Sequence, residues 1–304
     1  MTSVPGHLDR RQVLRGLTGC ASVGLLAACG MRPEAHAPPG LDRQIDDLTE
    51  RLNPRQQYRP PSDAEARRAV EAVEQLTAAE LDAGRAGLTA LGFTVDSLHD
   101  AAAQRDCLVA AGESHGHRTW GTLVVAADAD RPDVLVEVPH PRADLDTERI
   151  GLAMFRALPR SGLLLAGAHR RAADGAADVA HQSDSLFHAL AVELGRQGAL
   201  QVQLHGFADA SLPGKDVVIS SGRARVGARA ERLADALDDL GLDVGRAWRE
   251  RCAGLEGRSN AQGRAAARHD LDFVHLEMNH RTRMDARRRS AVVGAVAAAL
   301  NGTQ

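Results

Sequence analysis

Lysine and tyrosine are almost missing from this chain of 304 residues: of 37 basic side chains only Lys215 is a lysine, and Tyr58 is the one tyrosine. A Walker-type phosphate loop, a Schiff-base lysine or a serine–lysine dyad would each have to use Lys215. That residue sits in Pro213-Gly214-Lys215-Asp216, without the glycine spacing of a phosphate cradle. No H-E-x-x-H helix and no C-x-x-C pair occurs, which excludes the sequence-local forms of zincin and zinc ribbon. The 37 basic and 40 acidic residues nearly balance at −3, so the concentrated basic surface of a nucleic-acid binder is lacking. Charged residues make up 25%, too many for a polytopic membrane protein, and a soluble core is expected.

The N-terminus reads as an address. Asp9-Arg10-Arg11-Gln12-Val13-Leu14-Arg15 precedes a modestly apolar run over 16–28, which is too short to span a bilayer. Paired arginines ahead of such a run resemble a twin-arginine export signal. Leu26-Ala27-Ala28-Cys29 resembles the lipobox at which bacterial lipoproteins are cleaved and acylated. This implies export across the cytoplasmic membrane in the folded state and a lipid anchor at Cys29 in the cell envelope. Cys107 and Cys252 would then remain, as a disulfide or as two buried thiols, since no partner ligands stand at metal spacing.

Residues 29–62 read as a proline-rich tether, because six of the twelve prolines fall within 30–62 and apolar periodicity is slight. Residues 63–304 read as one domain. A helical repeat covers 62–91, with Ser62 or Asp63 as cap, and short apolar runs follow at 107–111, 122–126, 134–138, 163–166, 200–204, 217–219 and 273–278. Helical segments at 146–158, 183–196, 224–240 and 285–300 lie between or after them. Strands alternating with helices predict an α/β fold, a mostly parallel mixed sheet covered by helices on both faces.

Ligands of such sheets bind beyond the carboxyl ends of the strands, so the residues that end each apolar run carry the functional expectation. The run 134–138 leads to His140 and Asp144, 163–166 leads to His169 and Arg170, 200–204 ends at His205, and 273–278 continues through Glu277 to Asn279. By alternation Gln201, Gln203 and His205 share one face of their strand, and His275, Glu277 and Asn279 share one face of theirs. Polar stripes on buried strands need partners, and a metal with its surroundings is one way to satisfy them. His140, His205 and a carboxylate are candidate zinc ligands, with Asp144 four residues beyond His140 and Asp146 its rival. Glu277 is the candidate general base.

The ordered set Val138-Pro139-His140, Arg170 with Ala177-Asp178-Val179-Ala180-His181, Leu204-His205-Gly206-Phe207 and Leu276-Glu277-Met278-Asn279 resembles the N-formylglutamate amidohydrolase group. That group belongs to the wider phosphorylase/zinc-carboxypeptidase-like fold, with succinylglutamate desuccinylases and poly-γ-glutamate hydrolases. The resemblance spans roughly 120–279. It implies Zn2+ on His140 and His205 with a carboxylate near Asp144 as the other ligand, Glu277 as base, and Arg170 holding a substrate carboxylate; His181 and Asn279 are further candidate substrate contacts, and the basic pair Arg281 and Arg283 close behind Asn279 is a candidate attractor of an acidic substrate. The expected partners are a small-molecule or peptide substrate bearing a carboxylate, of acidic, glutamyl or peptidoglycan type, and the membrane through the lipid; no nucleic acid is expected.

The segment His140-Pro141-Arg142-Ala143 lacks the H-x-x-E pair of zinc carboxypeptidases, and Asp178 stands with His181 where an aspartate–arginine pair is usual. These departures leave an alternative, a non-catalytic ligand- or partner-binding lipoprotein with the same fold. Three stretches are read more weakly: 112–120 as a substrate-facing loop or a solvated turn, 258–263 as a surface loop, and 287–289 as the solvated face of the last helix.

Overall fold

A computed structural model describes residues 40–301 other than 79 and 128–130; the twin-arginine stretch and Cys29 lie outside the described residues. The elements in chain order are α1 (Leu41–Arg51), α2 (Asp63–Thr77), α3 (Leu81–Ala90), β1 (Thr94–Asp100), β2 (Arg105–Ala111), β3 (Thr122–Ala126), β4 (Val134–Val138), α4 (Thr147–Ala157) and β5 (Ser161–Leu165). They continue as α5 (Leu186–Arg196), β6 (Leu200–Phe207), β7 (Val217–Ser220), α6 (Ala228–Asp238), β8 (Val244–Arg246), α7 (Ala261–His269), β9 (Phe273–Asn279), α8 (His280–Met284) and α9 (Ala286–Asn301).

The strands form one nine-stranded sheet in the order β1-β2-β3-β5-β4-β6-β9-β7-β8. Its centre, β5-β4-β6-β9, is parallel throughout, so β4, β6 and β9 end on the same edge. An antiparallel meander, β1-β2-β3, is added beside β5, and β7 runs antiparallel to β9 with β8 parallel to β7. The fold is α/β, with a parallel heart and mixed flanks.

The two faces of the central strands differ in chemistry. Val134, Val136, Val138, Val202, Leu204, Val274, Leu276 and Met278 pack against buried residues of α1, α4, α6 and α9. The opposite face is apolar toward β3 and β5, where α2, α3 and α5 cover it. Across β4, β6 and β9 that face instead carries the buried polar residues Glu137, Gln201, Gln203, His205, His275 and Glu277. Period-two alternation puts them there, and a stripe this polar has to be satisfied from α5, α7 and the loops.

The expected tether does not extend to residue 62. Helix α1 buries Leu41 and Ile45 in the main core, and Leu52 and Tyr58 are buried as well. Asp42 of α1 and Asp100 of β1 both pair with Arg156 of α4, which ties the segment down. Its apolar residues are few, and prolines 54, 60 and 61 hide a short packed segment in the composition of a linker.

The long repeat over 62–91 divides into α2 and α3. Ser62 caps the first: its Oγ accepts from Glu65 N at 3.3 Å while the Glu65 carboxylate accepts from Ser62 N at 2.8 Å. The surface loop expected at 258–263 is instead the capped start of α7, where buried Asn260 accepts from Gly263 N at 2.9 Å. Cys107 and Cys252 are free, buried thiols. Among the described residues no helix is long and apolar enough to cross a membrane.

Candidate metal centre

Three chain-distant groups converge at the carboxyl edge of the central strands. His140 follows β4, His205 lies near the end of β6, and Asp144 sits on the turn between β4 and α4, where its N–H bonds the His140 carbonyl at 2.9 Å. Asp144 Oδ2 is 3.1 Å from His140 Nδ1 and 3.3 Å from His205 Nδ1, and it also accepts from Gly206 N at 3.3 Å. All three side chains are buried.

The far nitrogen of each imidazole is already committed. His140 Nε2 donates to Asp178 Oδ1 at 2.7 Å, and His205 Nε2 donates to Gln203 Oε1 at 2.8 Å. A neutral imidazole has one N–H, so when both rings are neutral their Nδ1 atoms present lone pairs toward the carboxylate oxygen; with no cation there, Asp144 and Asp178 favour a proton on His140 instead. Arg170 Nη1, 3.2 Å from His140 Nδ1, is placed to donate to such a lone pair.

Three acceptors facing one point demand a positive charge there. Burial alone lowers the His140 pKa, but hydrogen bonding to Asp144 and Asp178 reverses this and raises it. Burial lowers that of His205 to about 4, in spite of Asp144 beside it. Burial raises Asp144 as well, and the two imidazoles outweigh it to hold the carboxyl far below its ordinary value.

A divalent cation fits these donors. Ligands about 2.0–2.1 Å from a tetrahedral zinc are about 3.3–3.4 Å apart, and nitrogen from histidine with oxygen from aspartate is a usual set for that ion. The observed 3.1 and 3.3 Å separations lie at this spacing. The Asp178–His140 hydrogen bond is of the kind by which an outer carboxylate would orient a histidine toward a metal.

Glu277 lies beside this point, directly opposite His205 in the β6–β9 ladder. It is buried, and its Oε2 has no partner among the described residues. Burial, reinforced by the negative charge of Asp144, pushes its carboxyl up to about 8. His275, two residues earlier on the same face, stacks on His205 with centroids 4.5 Å apart and planes 29° apart. Burial keeps His275 neutral by driving its pKa well down. Gly257 leaves room for this ring, since a Cβ there would meet His275 Cδ2 at 2.8 Å.

The other expected contacts are placed differently. Arg170 borders the cluster, but its Nη2 donates to Asp178 Oδ2 at 2.8 Å, and His181 Nδ1 is 3.2 Å from Asp178 Oδ1. Asn279 is used structurally: its Oδ1 accepts from Thr282 N at 2.7 Å to cap α8, and its Nδ2 donates to Lys215 O and Asp216 Oδ1. Arg281 is paired with buried Asp216 at 2.8 Å, shared with Arg288. Neither belongs to the group around Asp144. Asp146, the rival ligand, turns away at the start of α4 and pairs with Arg289 at 3.0 Å.

Alternation alone did not single out Asp178, Asn260 or Arg283. Arg283 is buried, has no carboxylate ion pair among the described residues, and donates to the carbonyls of Met278, Leu145 and Phe207 at 3.1, 2.7 and 3.1 Å. It thereby fixes the turn carrying Asp144 against the ends of β6 and β9. Its guanidinium lies on Gly206, where a Cβ would come within 2.4 Å of it. The segment Gly112-Glu113-Ser114-His115-Gly116 has serine-hydrolase spacing, yet it joins antiparallel strands β2 and β3 instead of a strand and a helix, and Ser114 is exposed.

The chain matches no model of a known protein family, and a search of curated proteins finds no match. Among solved structures it is similar to a bacteriophage poly-γ-glutamate hydrolase, with 14% identity over 56% of this chain and 83% of that one and a TM-score of 0.38. It is also similar to a gene product of Agrobacterium tumefaciens, with 14% identity, 57% and 91% coverage and a TM-score of 0.41. A third is a metallo-carboxypeptidase from Pseudomonas aeruginosa in complex with (2-guanidinoethylmercapto)succinic acid. It shows 15% identity and a TM-score of 0.37 over 65% of this chain, which spans 61% of that protein.

Proposed function

We propose that the chain is a zinc-dependent hydrolase of an amide bond in a small acidic, glutamyl or peptidoglycan-type substrate, exported by the twin-arginine route and anchored by lipid at Cys29. The observation that carries the catalytic part is the convergence of His140 Nδ1, His205 Nδ1 and Asp144 Oδ2, with both outer imidazole nitrogens already donated. Zinc in such a site supplies Lewis-acid polarisation of a carbonyl and acidifies water. Asp178 and Gln203 keep the two histidines in the ligating orientation. The Oε2 of Glu277, in its ionised form, takes the proton of the attacking water and passes it to the leaving amine. The guanidinium of Arg170 supports binding of a substrate carboxylate at the rim.

Metal analysis of the purified full chain tests this directly. One zinc per chain is expected, lost on His140→Ala or His205→Ala. Glu277→Gln is expected to keep zinc and to lower hydrolysis of an N-acylglutamate or γ-glutamyl amide by about 100-fold or more. A wild-type chain without a bound divalent ion overturns the metal assignment, and unchanged turnover in Glu277→Gln overturns the base. A zinc-loaded wild type inactive on such amides favours a ligand-binding lipoprotein.

A further inference from the structure

Beneath the metal centre the polar stripe forms a connected chain of side-chain amides. Gln203 Oε1 accepts from His205 Nε2 at 2.8 Å and from Asn260 Nδ2, while Gln203 Nε2 donates to Glu137 Oε2 at 2.7 Å and to Gln262 Oε1 at 3.2 Å. Gln203 and Gln262 are both fully buried, and Asn260 is almost so.

Both arms of this chain end on backbone groups whose hydrogen-bonding sense cannot reverse. Asn260 Oδ1 accepts from Gly263 N at 2.9 Å as the cap of α7, which leaves Asn260 only its NH2 to offer Gln203. Gln262 Nε2 donates to Val179 O at 3.0 Å, which leaves Gln262 only its carbonyl. A flipped Gln203 amide would oppose NH2 to NH2 on one side and oxygen to oxygen on the other. The orientation of Gln203 therefore follows from the main chain at 179 and 263, and an oxygen at that position admits one neutral form of His205: N–H on Nε2 and a lone pair on Nδ1.

We propose that Gln203 is a positioning residue that locks His205 in the Nε2–H tautomer and so aims its Nδ1 lone pair at the point shared with His140 and Asp144, with Asn260 and Gln262 holding the lock from α7. The tautomer argument stands on the hydrogen bonds alone; its consequence for affinity rests on the proposed zinc site. The start of α7 thus acts on the centre from outside the ligand set, through the capping Asn260 and Gln262 of the first turn.

The test uses the full chain, first free of metal. Nitrogen-15 spectra of the histidine side chains are expected to show His205 as the Nε2–H tautomer; an Nδ1–H tautomer in the wild type overturns the proposal with no variant needed. Gln203→Met, with a native circular-dichroism spectrum, is expected to lose this preference and to bind zinc about 10- to 100-fold more weakly. Wild-type zinc affinity in a folded Gln203→Met also overturns it. A wild type with the Nε2–H tautomer that binds no zinc would leave the lock standing and remove the metal assignment, so the two failures are distinguishable.

Discussion

Glu137 shows how the environment of a single side chain sets its behaviour. It is fully buried, and desolvation raises its carboxyl to about 8, against a hydrogen bond from Gln203 that works in the opposite sense. Between the ordinary value of 4.5 and about 8 the folded protein holds a proton that the unfolded chain has released. The unfolded state then binds fewer protons, so stability falls as pH rises through this window, by a few kcal/mol at most. Glu137→Gln keeps an acceptor for Gln203 and cannot ionise. Melting curves from pH 5 to 9 should show the variant losing less stability than wild type toward alkaline pH, and parallel profiles would refute the neutral buried carboxyl. At this scale His140, His205 and Glu277 were legible because each lies at the end of an apolar run, and Asp144 because it stands four residues beyond His140. Asn279 and Arg281 have structural partners that the sequence does not show, because alternation tells which face a residue occupies, not whether a helix cap or a buried aspartate already engages its polar atoms.

Among the elements, the strands with dense apolar runs, β2 to β7 and β9, could be read directly, because each turns at least one apolar face into the core. Edge strands β1 and β8 could not, since β1 is Thr-Val-Asp-Ser-Leu-His-Asp and β8 is three residues long. Helix α7 escaped notice because its buried side includes Gln262 and Gly263, chosen for hydrogen bonding and close approach instead of bulk. Helix α1 is the instructive case: if it were tether, its apolar residues would contribute nothing to the fold. Ile45 is 2% exposed in the main core, so Ile45→Ala should cost about 2–4 kcal/mol. Urea denaturation measures this, and a loss below about 0.5 kcal/mol would return the segment to a surface role.

For the molecule as a whole, the sheet separates two tasks. One side of β4, β6 and β9 is an apolar core that α4, α6 and α9 complete, while the other carries the polar chemistry under α5 and α7. Alternation made the polar stripes of β6 and β9 legible from sequence, whereas their partners on α7 are supplied by tertiary packing and carry no local signal. The proposed export and acylation belong to this scale too. Cys29→Ser should move the chain from the membrane to the soluble fraction on cell fractionation; an unchanged distribution would rule out the thioether-linked anchor.

Cys107 and Cys252 stay unbridged inside the fold. No cross-link between them has to be forged before the core can close, so folding does not need an oxidant. A strong thiol reductant added to the finished protein should leave its melting temperature where it was.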